Sequence, residues 1–372
     1  MKLLYSTLLI LFSKNVIGQY STILEGKVPD IFNNKKIYLI ISDNYSYNKY
    51  ESKDSIIVKN NKFIFNKKIN KTCELATLYS NSPFGYFNFV LDSGLNNILI
   101  KEIKPKTTLF KNKLSNVEVL NSKSNKIIRQ IDSLENYYYQ YKTKPSLKNK
   151  NILVLSDFDK SDLTNSKLSI LSKNTNIFFS LIQLYSMSYS NSIPIDKLLI
   201  SYNLLDNEIK NSDLGIEFYN YLMLKKNVQI GESIKEFSAT TNKGQEFSNV
   251  ILRNKAYILA FGATWCVPCK ERIPKLIFIY NKYKSQGLEV IYVNLDNKKE
   301  KWEKEISTNK YEWINVSENL EWKNSKIAKL FDVTSLPFYL VVDKNGKIIY
   351  NERQLKDVEI ENIETYIQSA LK

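Results

Sequence analysis

Cys266 and Cys269 are the residues of this chain whose types and spacing indicate chemistry most directly. They are two of only three cysteines among 372 residues, and two residues separate them. Two thiols at this spacing can close into a small disulfide and reopen. If Pro268 starts a helix, Cys266 lies at its N-terminus, where free N–H groups and the helix dipole favour a thiolate and lower the thiol pKa below its free value of ~8.5. We therefore predict that Cys266 attacks a disulfide and that Cys269 resolves the intermediate.

A strand, a turn and a helix are predicted around this pair. The apolar run 256–261 has β-favouring residues directly before the cysteines, and apolar side chains recur at helical spacing over 270–286, which Gly287 ends. Further along, the pattern predicts a strand at 288–293, helices around Trp302 and at 325–331, a hairpin of 338–342 with 348–350, and an amphipathic helix at 357–371.

The cysteine pair has two alternative uses. A Cys-x-x-Cys pair can be half of a zinc site, but the chain has no histidine and its third cysteine, Cys73, is remote, so four nitrogen or sulfur ligands cannot be assembled within one chain. A structural disulfide would be inert and buried. The strand-to-helix position favours redox chemistry over both, no metal is expected, and Cys73 is expected to be a buried small hydrophobe.

The residues around the pair resemble a known family. Phe261 to Cys269, with Pro274 five residues on and Leu336-Pro337 before a predicted strand, look like the thioredoxin fold, and more narrowly like the TlpA/ResA-type thiol–disulfide oxidoreductases of the bacterial periplasm. The segment 231–247 is similar to that family's lead-in, which carries an extra hairpin. The resemblance covers residues 227–372 and implies an α/β thioredoxin fold there. It also implies that Pro337 is a cis-proline facing the disulfide, and that Leu336 offers its backbone to a partner chain.

The resemblance implies an activity as well. Cys266 would attack a substrate disulfide and Cys269 would resolve the mixed disulfide, with Trp265 and Pro268 supporting the site. Because no histidine stands between the cysteines to make the pair strongly oxidising, a reductant is expected, with targets such as apocytochrome disulfides in cytochrome c biogenesis. The expected partners are protein disulfide substrates and an upstream electron-donor protein. No cofactor is expected beyond the redox-active disulfide.

Two positions depart from the family pattern. Related domains commonly carry a glutamate three residues after the second cysteine, and thioredoxins an aspartate six residues before the first, whereas this chain has Arg272 and Ala260 there. Both departures remove a negative charge that would raise the thiol pKa values. Glu271 is about 100° away around the helix and cannot simply stand in. Arg272 and Glu271 are the candidates for pKa tuning: Arg272 either points to solvent or faces the site, where its charge would favour the thiolate.

The first residues predict export. A basic start is followed by an apolar segment, 3–12, which is too short to span a bilayer but typical of a secretory signal. We predict a signal peptide over residues 1–18 and an extracytoplasmic, periplasmic protein with no membrane span after cleavage; an uncleaved segment would tether it to the membrane. In an oxidising compartment, a single cysteine pair indicates catalysis rather than a framework of structural disulfides.

The chain is basic, with a formal net charge of +15 that arises mostly before residue 228. Such an excess can indicate an anionic partner such as nucleic acid or a membrane surface. Here the lysines are dispersed, and the sequence has no Gly-rich phosphate loop and no clustered basic helix. Nucleic acid is therefore not expected as a partner.

Two further regions are predicted upstream of residue 227. Residues 19–118 are predicted to form an all-β, sandwich-like domain, similar to the one that precedes the redox domain in many exported TlpA-like proteins. Short β-branched and aromatic runs recur there between Asn-rich turns, at 22–28, 36–40, 55–58, 62–66, 86–91 and 97–100. Residues 119–226 are predicted to be a helical connector, with an apolar stripe from Ile127 to Tyr138 and an apolar segment at 178–184.

Two other functions stay open. A peroxiredoxin-type peroxidase would share the fold, but Trp-Cys-x-x-Cys stands in place of its usual Pro-x-x-x-Thr-x-x-Cys. Peroxide consumption without a thioredoxin-like partner would support it. Alternatively, the upstream domains bind a ligand or envelope partner and the redox motif is secondary, which full binding by residues 20–226 alone would support.

Overall fold

The structure, a computed structural model, describes residues 20–42, 50–81, 84–101, 117–146, 152–189, 193–355 and 363–372. The predicted signal peptide, and residues 357–362 of the last predicted helix, lie outside them. The chain divides into two compact units, Met1–Gly215 and Ile216–Lys372. The division falls within a helix, Asp213–Asn227, whose C-terminal end coincides with the predicted boundary at residue 227. The predicted domain boundaries stay predictions.

A β-sandwich opens the first unit. Its described strands are β1 Tyr20–Lys27, β2 Lys36–Ser42, β3 Tyr50–Ile57, β4 Lys62–Ile69, β5 Cys73–Asn81, β6 Phe84–Asp92, β7 Gly94–Ile100 and β8 Val117–Leu120. They pair into two sheets, in the orders β4-β1-β7-β8 and β3-β2-β5-β6. Every second residue along most of β1 is buried, because one face of each sheet packs on a shared core that includes Leu24, Leu39 and Phe89. The predicted sandwich is confirmed.

Helices follow the sandwich, as predicted. The described helices of this region are α1 Lys123–Tyr141, α2 Asp157–Ser172, α3 Phe178–Ser188, α4 Ile195–Leu204, α5 Asn207–Lys210 and α6 Asp213–Asn227, with a short hairpin of β9 Lys144–Pro145 and β10 Leu153–Val154. Ser122 caps α1 by accepting a hydrogen bond from the backbone N–H of Asn125. The Asp92 carboxylate at the end of β6 accepts from the Ser122 hydroxyl (2.8 Å), so the sandwich fixes where α1 begins.

The second unit is built on one mixed sheet. Its described strands are β11 Ser238–Thr241, β12 Glu246–Ser248, β13 Tyr257–Gly262, β14 Glu289–Asn294, β15 Ile314–Ser317, β16 Phe338–Val342 and β17 Ile348–Asn351, in the order β12-β11-β15-β14-β13-β16-β17. Its described helices are α7 Val267–Tyr283, α8 Lys299–Asn309, α9 Lys326–Leu330 and α10 Ile363–Leu371. The α/β fold implied by the resemblance is confirmed, including the hairpin of β11 and β12.

The central strand β13 positions the cysteine motif. It runs parallel to β14 and antiparallel to β16, and all six of its residues are buried. Leu259 and Phe261 belong to the core on one face of the sheet, and Ile258 and Ala260 to the core on the other. Because both faces of the sheet are covered at β13, the strand is held rigidly. Its carboxyl end leads directly into the turn before α7.

Candidate active site

Cys266 and Cys269 form a disulfide at the N-terminus of α7, with a Cα–Cα distance of 5.3 Å. Cys266 is the N-cap residue: its Sγ accepts a hydrogen bond from the backbone N–H of Cys269 at 3.2 Å, and Pro268 lies in the first turn. The sulfur of Cys266 therefore lies where the helix dipole and free N–H groups stabilise a thiolate. Cys266 is 5% exposed and Cys269 is 2% exposed, so both are largely covered and the first only slightly less so.

The loop before β16 contacts this disulfide. The Leu336–Pro337 peptide bond is cis, as the resemblance implies. The Leu336 side chain packs against a small cluster of Ala263, Cys266 and Cys269. The fold thus brings the two predicted parts of the site together, although they are far apart in the sequence.

An aromatic and apolar surface surrounds the disulfide. Trp265 is 56% exposed, and Val267 and Pro268 are exposed beside it. The Trp265 ring lies against that of Trp322, with 6.0 Å between centroids, and the Trp322 indole N–H donates to the Val333 carbonyl at 3.1 Å. A groove of about 610 Å³ continues from Trp322; it is lined by Leu224, Glu321, Trp322, Lys323, Ala328, Lys329, Asp332, Val333 and Thr334.

Asp296 holds the turn that carries Cys266. Its carboxylate is 4% exposed and accepts hydrogen bonds from the backbone N–H and the hydroxyl of Thr264, both at 2.8 Å, and from the Asn294 amide at 2.7 Å. Thr264 is two residues before Cys266. The carboxylate therefore fixes the backbone from which the first cysteine projects.

Arg272 does not simply point to solvent. It forms an ion pair with Glu352, the residue after β17, and these side chains are 35% and 19% exposed. Glu352 also accepts from the backbone N–H of Tyr339 at 3.2 Å. Glu271, the other candidate for pKa tuning, is exposed. Ala260 lies directly between Tyr292 and Tyr339 on the neighbouring strands, so tyrosines flank the position of the missing aspartate.

The third cysteine lies in β5, in the first unit, and is a buried free thiol as expected. Burial, and then the nearby Asp92 carboxylate, raise the pKa of the Cys73 thiol well above its ordinary value.

In the part of the chain that the structure describes, no group of three or more His, Cys, Asp or Glu side chains could hold a metal ion. None of the described helices is both long enough and apolar enough to cross a membrane.

Three contributors to the site were not predicted: Asp296, Trp322 and Glu352. Asp296 could have been found, because it follows a predicted strand parallel to the one before the cysteines, and the carboxyl ends of parallel strands share one edge of a sheet. Trp322 and Glu352 lie outside the cysteine motif and carry no local signal of their own.

Comparison with known proteins agrees with this geometry. A family model described as thioredoxin-like matches residues 254–348, and one described as a domain of unknown function, DUF4369, matches residues 22–128. The thiol-disulfide oxidoreductase ResA of Bacillus cereus is 30% identical over 150 residues, which are 39% of this chain and 80% of that protein. ResA of Bacillus thuringiensis is 29% identical over 166 residues, 43% of this chain and 90% of that protein.

Among solved structures, a putative thiol:disulfide interchange protein DsbE from Chlorobium tepidum is 25% identical with a TM-score of 0.35, covering 39% of this chain and 99% of that one. The thioredoxin-like match spans both cysteines and the cis-proline. Since the B. cereus ResA is matched over most of its own length, and the disulfide of this chain stands at a strand-to-helix junction, the chain belongs to the TlpA/ResA-like thiol–disulfide oxidoreductases and is an enzyme of that class.

Proposed function

We propose that the protein is an exported reductant of protein disulfides that works through Cys266 and Cys269. The observation that carries the proposal is the disulfide at the N-terminus of α7, packed against Leu336 of the cis-proline loop. Cys266 caps the helix, and Cys269, in its first turn, is slightly more buried. This arrangement supports an attacking and a resolving thiol.

In the reduced enzyme the Cys266 thiolate attacks one sulfur of a substrate disulfide. The substrate S–S bond breaks, a mixed disulfide forms, and the departing sulfur takes up a proton. Cys269 then loses its proton and attacks the Cys266 sulfur, which releases the second substrate thiolate. Two electrons have passed to the substrate, and the enzyme holds its disulfide again. A reduced dithiol protein, the expected electron donor, returns the enzyme to its starting state by the same exchange in reverse.

The surface around the disulfide supports a protein substrate. Trp265 and Val267 expose apolar area beside the cysteines, the Trp322 ring lies against that of Trp265, and the Leu336 side chain packs against the cysteine pair. We infer export, an extracytoplasmic location in the periplasm and a role in cytochrome c biogenesis from the sequence of residues 1–18 and from the resemblance. Mass analysis of the mature N-terminus after cell fractionation tests export.

Reduction of insulin in the presence of a dithiol donor tests the activity. We expect turnover by the wild-type protein and none by Cys266→Ser, while Cys269→Ala should accumulate mixed disulfides that can be isolated from cells. A potential near ~−270 mV rather than ~−120 mV would support the reducing direction. Turnover retained in Cys266→Ser would refute the assignment.

A further inference from the structure

Glu352 and Arg272 connect the two parts of the site. Arg272 is three residues after Cys269 on α7, about one helical turn away, and its guanidinium pairs with the Glu352 carboxylate. The same carboxylate accepts from the N–H of Tyr339, which is two residues after the cis-proline. A single acid thus contacts both the helix that carries the cysteines and the strand that follows the cis-proline loop.

The neighbouring residue strengthens this connection. Arg353 donates to the Asp332 and Ser335 carbonyls in the loop before the cis-proline, and its guanidinium lies 4.3 Å from the centroid of the Phe338 ring. Its cationic group is therefore directed at the loop. Arg272 is the ion-pair partner of Glu352 on the helix side.

We propose that Glu352 is a positioning residue that sets the reduction potential of the Cys266/Cys269 pair by neutralising Arg272 on the cysteine-bearing helix. The inference rests on the proposed dithiol–disulfide cycle. Arg272 lies ~9 Å along the helix from Cys266, about one Debye length at physiological salt, so an unpaired charge there still acts on the thiolate.

The charged and titratable groups near the Glu352 carboxylate are Arg272 on α7, Tyr339 on β16, Tyr350 on β17 and, just after β17, Arg353, whose guanidinium donates to the loop carbonyls instead. Burial, and then Glu352 itself, raise the pKa of Tyr350 to about 12 and raise the pKa of Tyr339 as well. Both tyrosines are therefore neutral at physiological pH. The Glu352 carboxylate therefore balances the positive charge of Arg272.

The two single variants should act in opposite directions. Glu352→Gln leaves the Arg272 charge unbalanced, which stabilises the Cys266 thiolate; we expect its acidity constant to rise about threefold or more and the equilibrium with glutathione to shift towards the dithiol. Arg272→Gln leaves the Glu352 charge unbalanced, and both quantities should shift the other way by a similar factor. The double variant should return to within about twofold of wild type.

Glu364→Gln is the matched control. Glu364 is also 19% exposed, and it pairs with Lys275 and Lys282 further along α7, at 3.2 and 2.6 Å. Its loss removes an anchor of the same helix away from the cysteines. We expect this variant to lose stability without a change in the glutathione equilibrium.

The measurements are pH-dependent alkylation of the reduced full-length protein and its equilibration with glutathione buffers. The inference would be overturned if the thiol pKa and the glutathione equilibrium of the two single variants shifted in the same direction, or by the same amount as in Glu364→Gln. Losing a purely structural contact does not depend on the sign of the charge removed, so it would not produce opposite shifts. The expected direction of the shift is stated for each single variant separately. If one variant misfolds, the direction measured for the other still decides the question. A wild-type pair that fails to equilibrate with glutathione would overturn the proposed function and this inference with it.

Discussion

At the scale of single residues, a backbone N–H contacts the attacking sulfur directly, while side chains act through the turn and the helix that hold it. Cys266 caps α7 and accepts the Cys269 N–H, while the turn before it is fixed by the contacts of Thr264 with Asp296. The reactivity of the pair therefore depends on how rigidly this turn is held.

Asp296→Asn tests that dependence. The variant keeps the shape but loses the charge and one of the two acceptor oxygens that Thr264 uses, so we expect the free energy of unfolding to fall by about 1–3 kcal/mol. The rate of alkylation of Cys266 in the reduced protein should change as well, since its turn is loosened. Urea unfolding and alkylation kinetics measure both effects. Thr264→Ser keeps both donors and should resemble the wild-type protein. If Asp296→Asn has the stability and the alkylation rate of the wild type, the turn does not depend on the Asp296 carboxylate.

Cys73 should be inert in the folded protein. It is buried in β5, and its raised thiol pKa leaves almost no thiolate near neutral pH. Iodoacetamide at pH 8 should therefore label Cys266 but not Cys73 in the reduced native protein, and all three cysteines after denaturation. Mass spectrometry of the labelled peptides gives the answer. Native labelling of Cys73 as fast as that of Cys266 would contradict the burial.

At the scale of elements, local pattern predicted most of the strands and helices, but it missed β5, β8, β15 and the short hairpin of β9 and β10. The first four residues of β5 are all buried, so both faces of the strand are covered there and apolar and polar side chains do not alternate. Cys73 to Ala76 also contains Glu74 and Ala76, which are depleted in strands. The long-range contacts of the site, such as Glu352 with Arg272, were not predictable either, because they depend on strand order rather than on spacing.

β13 packs closely on β14 at its carboxyl end. Gly262 ends β13, and a Cβ at this position would lie 1.9 Å from the Tyr292 hydroxyl oxygen. We expect Gly262→Ala to cost about 1–3 kcal/mol of stability, because the buried tyrosine must shift. Tyr292→Phe removes the hydroxyl and should recover part of this loss in the double variant. Thermal unfolding of the four proteins gives the coupling; strictly additive effects would show that the clash is relieved elsewhere.

At the scale of the whole molecule, the end of α6 belongs structurally with the second unit. Lys225 forms an ion pair with Asp332 at 2.7 Å, and the Asn351 amide donates to the Val228 carbonyl at 2.6 Å. The predicted boundary between residues 226 and 227 therefore lies in a helical turn that is paired with the second unit. The sequence could not show this, because polar residues in a last helical turn and in a linker look alike.

A pair of fragments tests the contribution of that turn. We expect residues 216–372 and 228–372 both to fold and to reduce insulin, since both keep the sheet, α7 and the cis-proline loop. The longer fragment should be more stable by about 1 kcal/mol, because it retains the partly buried ion pair of Lys225 with Asp332. Lys225→Gln in the longer fragment should remove most of this difference, whereas Lys235→Gln, at an exposed position, should not. Urea unfolding measures all four proteins, and equal stability of the two fragments would mean that the last turn of α6 adds nothing to the catalytic unit.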